Sequence, residues 1–272
     1  MALDDKKIGL IGTGNMGSAL IKGMLNKGVA VSGNLLAYDV DANKLAVFCK
    51  SNGVQAAKDN ADLVDSSDII ILAVKPDSAS AALHSAASAF TNDKLLISIV
   101  LGLSLGRLGE LTGGRARCIR CMPNTPALVN EGMSCVAMGD NTTAGDRYLA
   151  AALFGAVGKT EFLEERDLEK ITSLTGSSPA YVFVMIEAMA DAAVLGGLPR
   201  ATAYRLASQA VLGSAKLVLE TGMHPGALKD MVCSPAGSTI EAIRVLESKG
   251  FRSALIEAMR ACDTRAHEIA SQ

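Results

Sequence analysis

Near its start the chain runs from an apolar stretch straight into glycine. Gly9–Leu20 reads GLIGTGNMGSAL, which places Gly12, Gly14 and Gly17 in a G-x-G-x-x-G spacing between a β-branched run and an amphipathic one. That context constrains the fold more than any other segment does. Gly12 permits a tight turn after a strand, Gly14 lets a ligand approach the backbone, and Gly17 lets helix and strand pack closely. Asn15 and Met16 then open a helix whose first N–H groups have no partner within it, so an anion is the natural neighbour. The segment predicts the first βα unit of a dinucleotide-binding fold, with the pyrophosphate at the helix start.

The rhythm that follows supports this. KIGLIG, LLAYD, DIIILAV, KLLISIV, ARCIRCMP and MSCVAMG are strand-like, and helical stretches such as NMGSALIKGMLNKG and DANKLAVFCKSNG lie between them. Alternation of this kind signals βαβ units and a mainly parallel sheet. After GAVGKTEFLEERD only helical periodicity remains. PAYVFVMIEAMADAAVLGG closes on two glycines, and the next helix starts at Pro199 and stops at Gly222. The expected architecture is α/β: a Rossmann-like nucleotide domain over residues 1–163, then an all-helical dimerisation domain over 164–272. The late helices are apolar around most of their circumference, more than about 110 residues can bury alone, so a second copy is expected to cover them.

Charge and composition exclude several classes. Formal net charge is −2, with 49% apolar and 4% aromatic residues in 272, and no basic stripe appears, so no nucleic-acid partner is expected. The longest stretch free of Asp, Glu, Lys, Arg and His, Ile171–Ile186, is broken by glycine, serines and proline, and no membrane span is expected. The start, MALDDKKIGLIG, is acidic where a signal peptide is basic. The six cysteines are expected to be reduced thiols in a cytoplasmic protein. Cys118 and Cys121 form a C-x-x-C without a second pair or histidine at ligand spacing, so no metal site is expected.

Further cofactor contacts follow from the sheet's expected C-terminal edge. Asp39, at the end of the second strand, can accept bonds from ribose hydroxyls and would repel a 2′-phosphate, which leans toward NADH over NADPH. Asn60 either meets the ribose or caps a helix. Val74, Lys75 and Pro76 end the strand of DIIILAV, where Lys75 either lines the crevice or flanks a helix start. Asn124 and Thr125 sit between two prolines in a stiff loop suited to holding polar groups near a nicotinamide amide.

Beyond these stand further motifs: Met122-Pro123-Asn124-Thr125-Pro126, Gly176-Ser177-Ser178-Pro179-Ala180-Tyr181, and HPGALKDMVCSPAGSTI from His224 to Ile240. With Gly12–Gly17, Val74-Lys75-Pro76 and the tail LESKGFRSALIEA, they resemble the pyrroline-5-carboxylate reductase family over essentially the whole chain. The resemblance implies hydride transfer from NADPH or NADH to C5 of 1-pyrroline-5-carboxylate, giving L-proline. It also implies a homodimer with interleaved helical domains, often built into a decamer, and a substrate loop at Ser234–Thr239 that works across the dimer. A protonated imine is already an electrophile, so position and fixed dipoles matter more than a strong acid. On this basis Gly237 and Ser238 offer backbone N–H groups to the carboxylate, Ser234 adds a hydroxyl, and Thr239 bonds the ring nitrogen as the candidate catalytic residue. Two positions depart from the family pattern, Ser178 and Ala236, each standing where glycine is usual. If either needs positive φ, local strain follows. The rival readings are a β-hydroxyacid dehydrogenase-like reductase, for which Lys170 is the available lysine, and a non-catalytic nucleotide-sensing dimer.

Overall fold

The structure, a computed structural model, describes Leu3 and residues 5–270, without the side chains of His267, Ile269 and Ala270. Its first part alternates β1 (Ile8–Ile11), α1 (Asn15–Asn26), β2 (Leu35–Tyr38), α2 (Ala42–Asn52), β3 (Gln55–Ala56), α3 (Asn60–Asp65), β4 (Ile69–Leu72), α4 (Pro76–Ser85), β5 (Leu95–Ser98), α5 (Leu105–Leu111) and β6 (Arg117–Met122). Then come β7 (Gly132–Met138), α6 (Ala144–Gly155), β8 (Gly158–Phe162) and α7 (Glu165–Leu168). A single eight-stranded sheet results, in the order β3-β2-β1-β4-β5-β6-β7-β8. All neighbours pair in parallel except β6 and β7, which run antiparallel.

The sheet is buried on both faces, which is why its inner strands read as unbroken apolar runs. One face packs Ile8, Leu10, Ile69 and Ile71 against Leu20, Ile21 and Met24 of α1 and Leu153 and Phe154 of α6. The other packs Ile70, Leu72 and Leu96 against Leu63 of α3, Leu83 of α4 and Leu108 of α5. Full burial of each such side chain contributes about 1.5–3 kcal/mol. The alternation also settles the C-x-x-C. Cys121 lies in the first cluster and Cys118 in the second, so the two thiols face opposite sides of the sheet and cannot share a metal. Burial pushes the Cys118 thiol up to about 11 and Cys121 well above its ordinary value, and all six cysteines are free.

The second part is helical: α8 (Ser178–Leu195), α9 (Arg200–Thr221), α10 (Pro225–Val232), α11 (Ser238–Ser248) and α12 (Phe251–Ala270). As the sequence suggests, α9 follows Pro199 as N-cap and ends on Gly222 at φ 63°. On α8 only Ala190 is buried, while Phe183 and Val184 lie exposed. By length and composition alone the stretch Thr172–Leu195 could cross a membrane.

Contacts divide the chain into two compact units. One extends to Gly176 and takes in the end of α12 from Asp263 on; the other is Ser177–Cys262. Residues 164–176 stay with the sheet for a physical reason. Leu168 is fully buried with Cys135 and Ala137 of β7, and Asn124 Nδ2 donates to Thr175 O at 3.0 Å.

Candidate active site

In the first unit, α1 and its glycines sit where the strand order reverses, between β1 and β4. Gly12 has φ +96°, and a Cβ on it would stand 2.7 Å from Ala73 O. A Cβ on Gly17 would stand 2.6 Å from Gly12 O. Those two glycines are therefore required by the protein itself. Gly14 is different: nothing lies within 4 Å of where its Cβ would be. It is the N-cap of α1 and gives no side-chain cap to the helix, so no N-cap side chain bonds the first amides, at Asn15 and Met16. Such a cradle fits a pyrophosphate.

Asp39 stands just beyond β2, but its carboxylate is already engaged. Oδ2 accepts from the Thr13 N–H and hydroxyl, each at 2.8 Å, and Oδ1 accepts from Asp41 N–H at 3.0 Å. Partial burial pushes the Asp39 carboxyl up, yet the bonds from Asp41 and Thr13 outweigh it and hold the acid below its ordinary value. So Asp39 fixes the middle of the glycine loop, whatever it does for a ribose. Thr13 carries no signal in the sequence beyond lying between two glycines.

Asn60 is the first residue of α3, behind the N-cap Asp59. Its Nδ2 donates to Ser85 Oγ at 2.9 Å, while its buried Oδ1 has no hydrogen-bond partner. An orphaned buried acceptor is costly, about 1–3 kcal/mol, and suits a hydroxyl donor from outside the chain. The capping alternative goes instead to Asp59, which accepts from Asp62 N–H at 2.8 Å.

Beyond β4, Val74 is half-buried, Lys75 is the N-cap of α4 with an exposed side chain, and Pro76 takes the first helical position. Lys75 thus flanks a helix start at the same sheet edge. Thr125 is exposed after β6. Asn124 is buried, and its side chain is spent within the unit: Oδ1 accepts from Met133 N–H at 2.8 Å and Nδ2 holds Thr175. Thr175 belongs to a wide π-helical turn, Thr172–Gly176, in which Thr172 also meets Met122 Sδ at 3.6 Å. The sequence gives no warning of this turn.

In the second unit, His224 caps α10, with Nδ1 accepting from Gly226 N–H at 3.0 Å. Helix α10 leads through Cys233 to a turn closed by Gly237 N–H donating to Ser234 O at 3.0 Å. Gly237 is the N-cap of α11 and has no side chain to cap with, so no N-cap side chain bonds the amides of Ser238 and Thr239. No ionisable residue lies between Ser234 and Ile240, and the first acid of α11, Glu241, is bound to Arg244. Such a segment offers an anion amides and hydroxyls but holds no side chain that moves a proton near neutral pH. Of the two departures from glycine, Ala236 has φ +56°, whereas Ser178 is not in the left-handed region. Lys170, the lysine a hydroxyacid dehydrogenase would need, is exposed and paired with Asp167 at 2.6 Å.

The family model described as pyrroline-5-carboxylate reductase dimerisation matches residues 165–269, and that of NADP oxidoreductase, coenzyme F420-dependent, matches residues 7–102. The Plasmodium falciparum pyrroline carboxylate reductase, solved with NADP bound, superposes with a TM-score of 0.88 at 32% identity, covering 98% of this chain and 99% of that one. The Coxiella burnetii pyrroline-5-carboxylate reductase gives 0.90 at 33%, covering 97% and 98%. The pyrroline-5-carboxylate reductase of Escherichia coli strain K12 is 48% identical over 265 residues, 97% of this chain and 98% of its own. With likeness of that degree along nearly its whole length, the chain belongs to the pyrroline-5-carboxylate reductase family.

Proposed function

We propose that the protein reduces 1-pyrroline-5-carboxylate to L-proline with NADH or NADPH. The observation that carries this is the start of α11: a helix N-terminus capped by Gly237 without a side-chain bond, flanked by hydroxyls, with no ionisable residue from Ser234 to Ile240. It suits a small anionic ring that needs holding rather than activating. The carboxylate is held by the Ser238 N–H and the Ser234 hydroxyl rather than by the Gly237 N–H, which already donates to Ser234 O at 3.0 Å, and Thr239 bonds the ring nitrogen. The nitrogen arrives protonated, so reduction at C5 leaves an amine without calling on a protein acid.

The residues around α1 fit a dinucleotide. Gly14, Asn15 and Met16 hold its pyrophosphate, and Asn60 Oδ1 accepts from a ribose hydroxyl. When bound, the nicotinamide supplies the hydride. Val74, Lys75, Pro76 and Thr125 line the same sheet edge, while Asn124 shapes that edge from behind. Asp39 and Asp41 weigh against a 2′-phosphate, and steady-state kinetics with both cofactors measures by how much.

The working unit is a homodimer in the cytoplasm, assembled further into a decamer, with substrate loop and nucleotide site paired across the dimer. What supports the dimer is the apolar exterior of α8 and α9; sedimentation velocity tests the larger ring. Mixing the protein with reduced cofactor and 1-pyrroline-5-carboxylate, while following nicotinamide absorbance, tests the activity. Thr239→Ala is expected to slow turnover about 10- to 100-fold while cofactor affinity stays the same. Equal loss in both would remove Thr239 from the reacting centre.

A further inference from the structure

Among the described residues two non-glycine residues have a left-handed backbone, Asn130 at φ 61° and Ala236 at φ 56°. Asparagine visits that region readily; alanine does not, because its Cβ crowds the following carbonyl. Ala236 is the third residue of the turn Ser234–Gly237, closed by the Gly237 N–H to Ser234 O bond of 3.0 Å. Proline at the second place and positive φ at the third define a type II turn, in which glycine is the usual third residue. The neighbouring glycine does not relieve the strain, because its own need is for space. Gly237 has φ −79°, and a Cβ on it would lie 2.3 Å from Ser234 Oγ. Strain therefore sits at 236 and close packing at 237, and the turn runs directly into the first amides of α11.

We infer that Ala236 is a positioning residue for substrate: its left-handed backbone holds the Ser234–Gly237 turn in the one form that aligns the α11 amides with the substrate carboxylate. This rests on the carboxylate site proposed above. It predicts that the KM for substrate follows the ease of left-handed backbone at 236 rather than side-chain size.

The experiment compares Ala236→Gly, Ala236→Asn and Ala236→Val, the last two of similar bulk. Glycine and asparagine are expected to leave the KM for 1-pyrroline-5-carboxylate at or below the parent's. Valine, β-branched and averse to positive φ, is expected to raise it about tenfold. The KM for the nicotinamide cofactor should stay unchanged throughout, a split that general loosening of the fold would not produce. If asparagine raises the substrate KM as valine does, bulk is the cause and the proposal falls; it falls equally if valine leaves KM alone. Should the valine variant fail to fold, an asparagine KM tenfold above that of glycine still overturns the idea. An inactive parent would overturn both this inference and the function it rests on, whereas an active parent with a flat series overturns this inference alone.

Discussion

At the scale of single residues, the three glycines of the nucleotide loop divide into two kinds, and the division can be tested. Gly14 has φ −67°, which any residue adopts, and empty space around its missing side chain. Gly14→Ala is thus expected to melt within about 0.5 kcal/mol of the parent. Its methyl, however, occupies the ground where a pyrophosphate approaches, so cofactor affinity should fall by about tenfold or more. Gly17→Ala should do the reverse damage. Its Cβ would press on Gly12 O at 2.6 Å and Leu10 Cδ1 at 3.1 Å, and overpacking of that kind costs about 1–3 kcal/mol of stability. Thermal melting and fluorescence titration with reduced cofactor separate the two. A Gly14→Ala variant that binds cofactor normally would remove the pyrophosphate from this turn. These glycine roles were legible in the sequence because each follows from local geometry. The role of Asn124 was not. Its stiff loop suggested a contact to nicotinamide, but its amide is committed to Met133 and to Thr175, a partner 51 residues away that no local pattern announces.

At the scale of elements, α6 is pinned by one buried carboxylate. Thr143 and Asp146 form a capping box, and Arg117 at the start of β6 donates to Asp146 Oδ2 through Nε at 2.9 Å and to Oδ1 through Nη2 at 3.1 Å. Burial pushes the Asp146 carboxyl up, but the bonds from Arg117 and Thr143 prevail and hold it below its ordinary value. An acid whose folded pKa is depressed adds stability that is complete above its unfolded value, about 4, and is lost as pH falls through the folded pKa. Asp146→Asn should therefore destabilise the protein by about 2–3 kcal/mol at pH 7, since Arg117 is left half-buried without its counter-charge. The gap between variant and parent should narrow below about pH 4, as the parent's own carboxyl protonates. Urea unfolding at pH 7 and pH 3.5 reads both numbers, and a gap that stays constant would deny Asp146 its charged role. Elements that bury apolar faces were visible in the sequence, as β1, β4 and β5 were. Those with polar or very short sequences were not: β3 is Gln55–Ala56 alone, and β8 reads Gly-Lys-Thr-Glu-Phe, half-exposed at the sheet's edge. Nor did periodicity reveal that β7 reverses direction against β6, because alternation along a strand says nothing of its partner's sense.

At the scale of the whole molecule, the helical half has more apolar surface than a lone protomer covers. Leu195 is 91% exposed and Leu219 80%. An exterior this apolar marks an interaction surface, and the dimerisation family match over residues 165–269 points to a second copy. Leu212 and Leu219 lie seven residues apart on α9, hence on one face, and both are exposed. Replacing both by glutamate puts two charges where apolar contact is needed. Each forfeits about 1.5–3 kcal/mol of burial before the charge itself is counted, enough to dissociate a dimer at micromolar concentration. Because the glycine loop, Asp39 and Asn60 all belong to the sheet unit of one chain, cofactor binding should survive dissociation. Turnover should not survive it if the substrate loop serves its partner's nucleotide site, and a fall of about 100-fold or more is expected. Sedimentation equilibrium, cofactor titration and the turnover assay are to be run on the same preparation. A monomer that binds cofactor and turns over at the parent's rate would show that each chain holds a complete site. Loss of cofactor binding together with turnover would instead mean that the sheet unit itself depends on the partner.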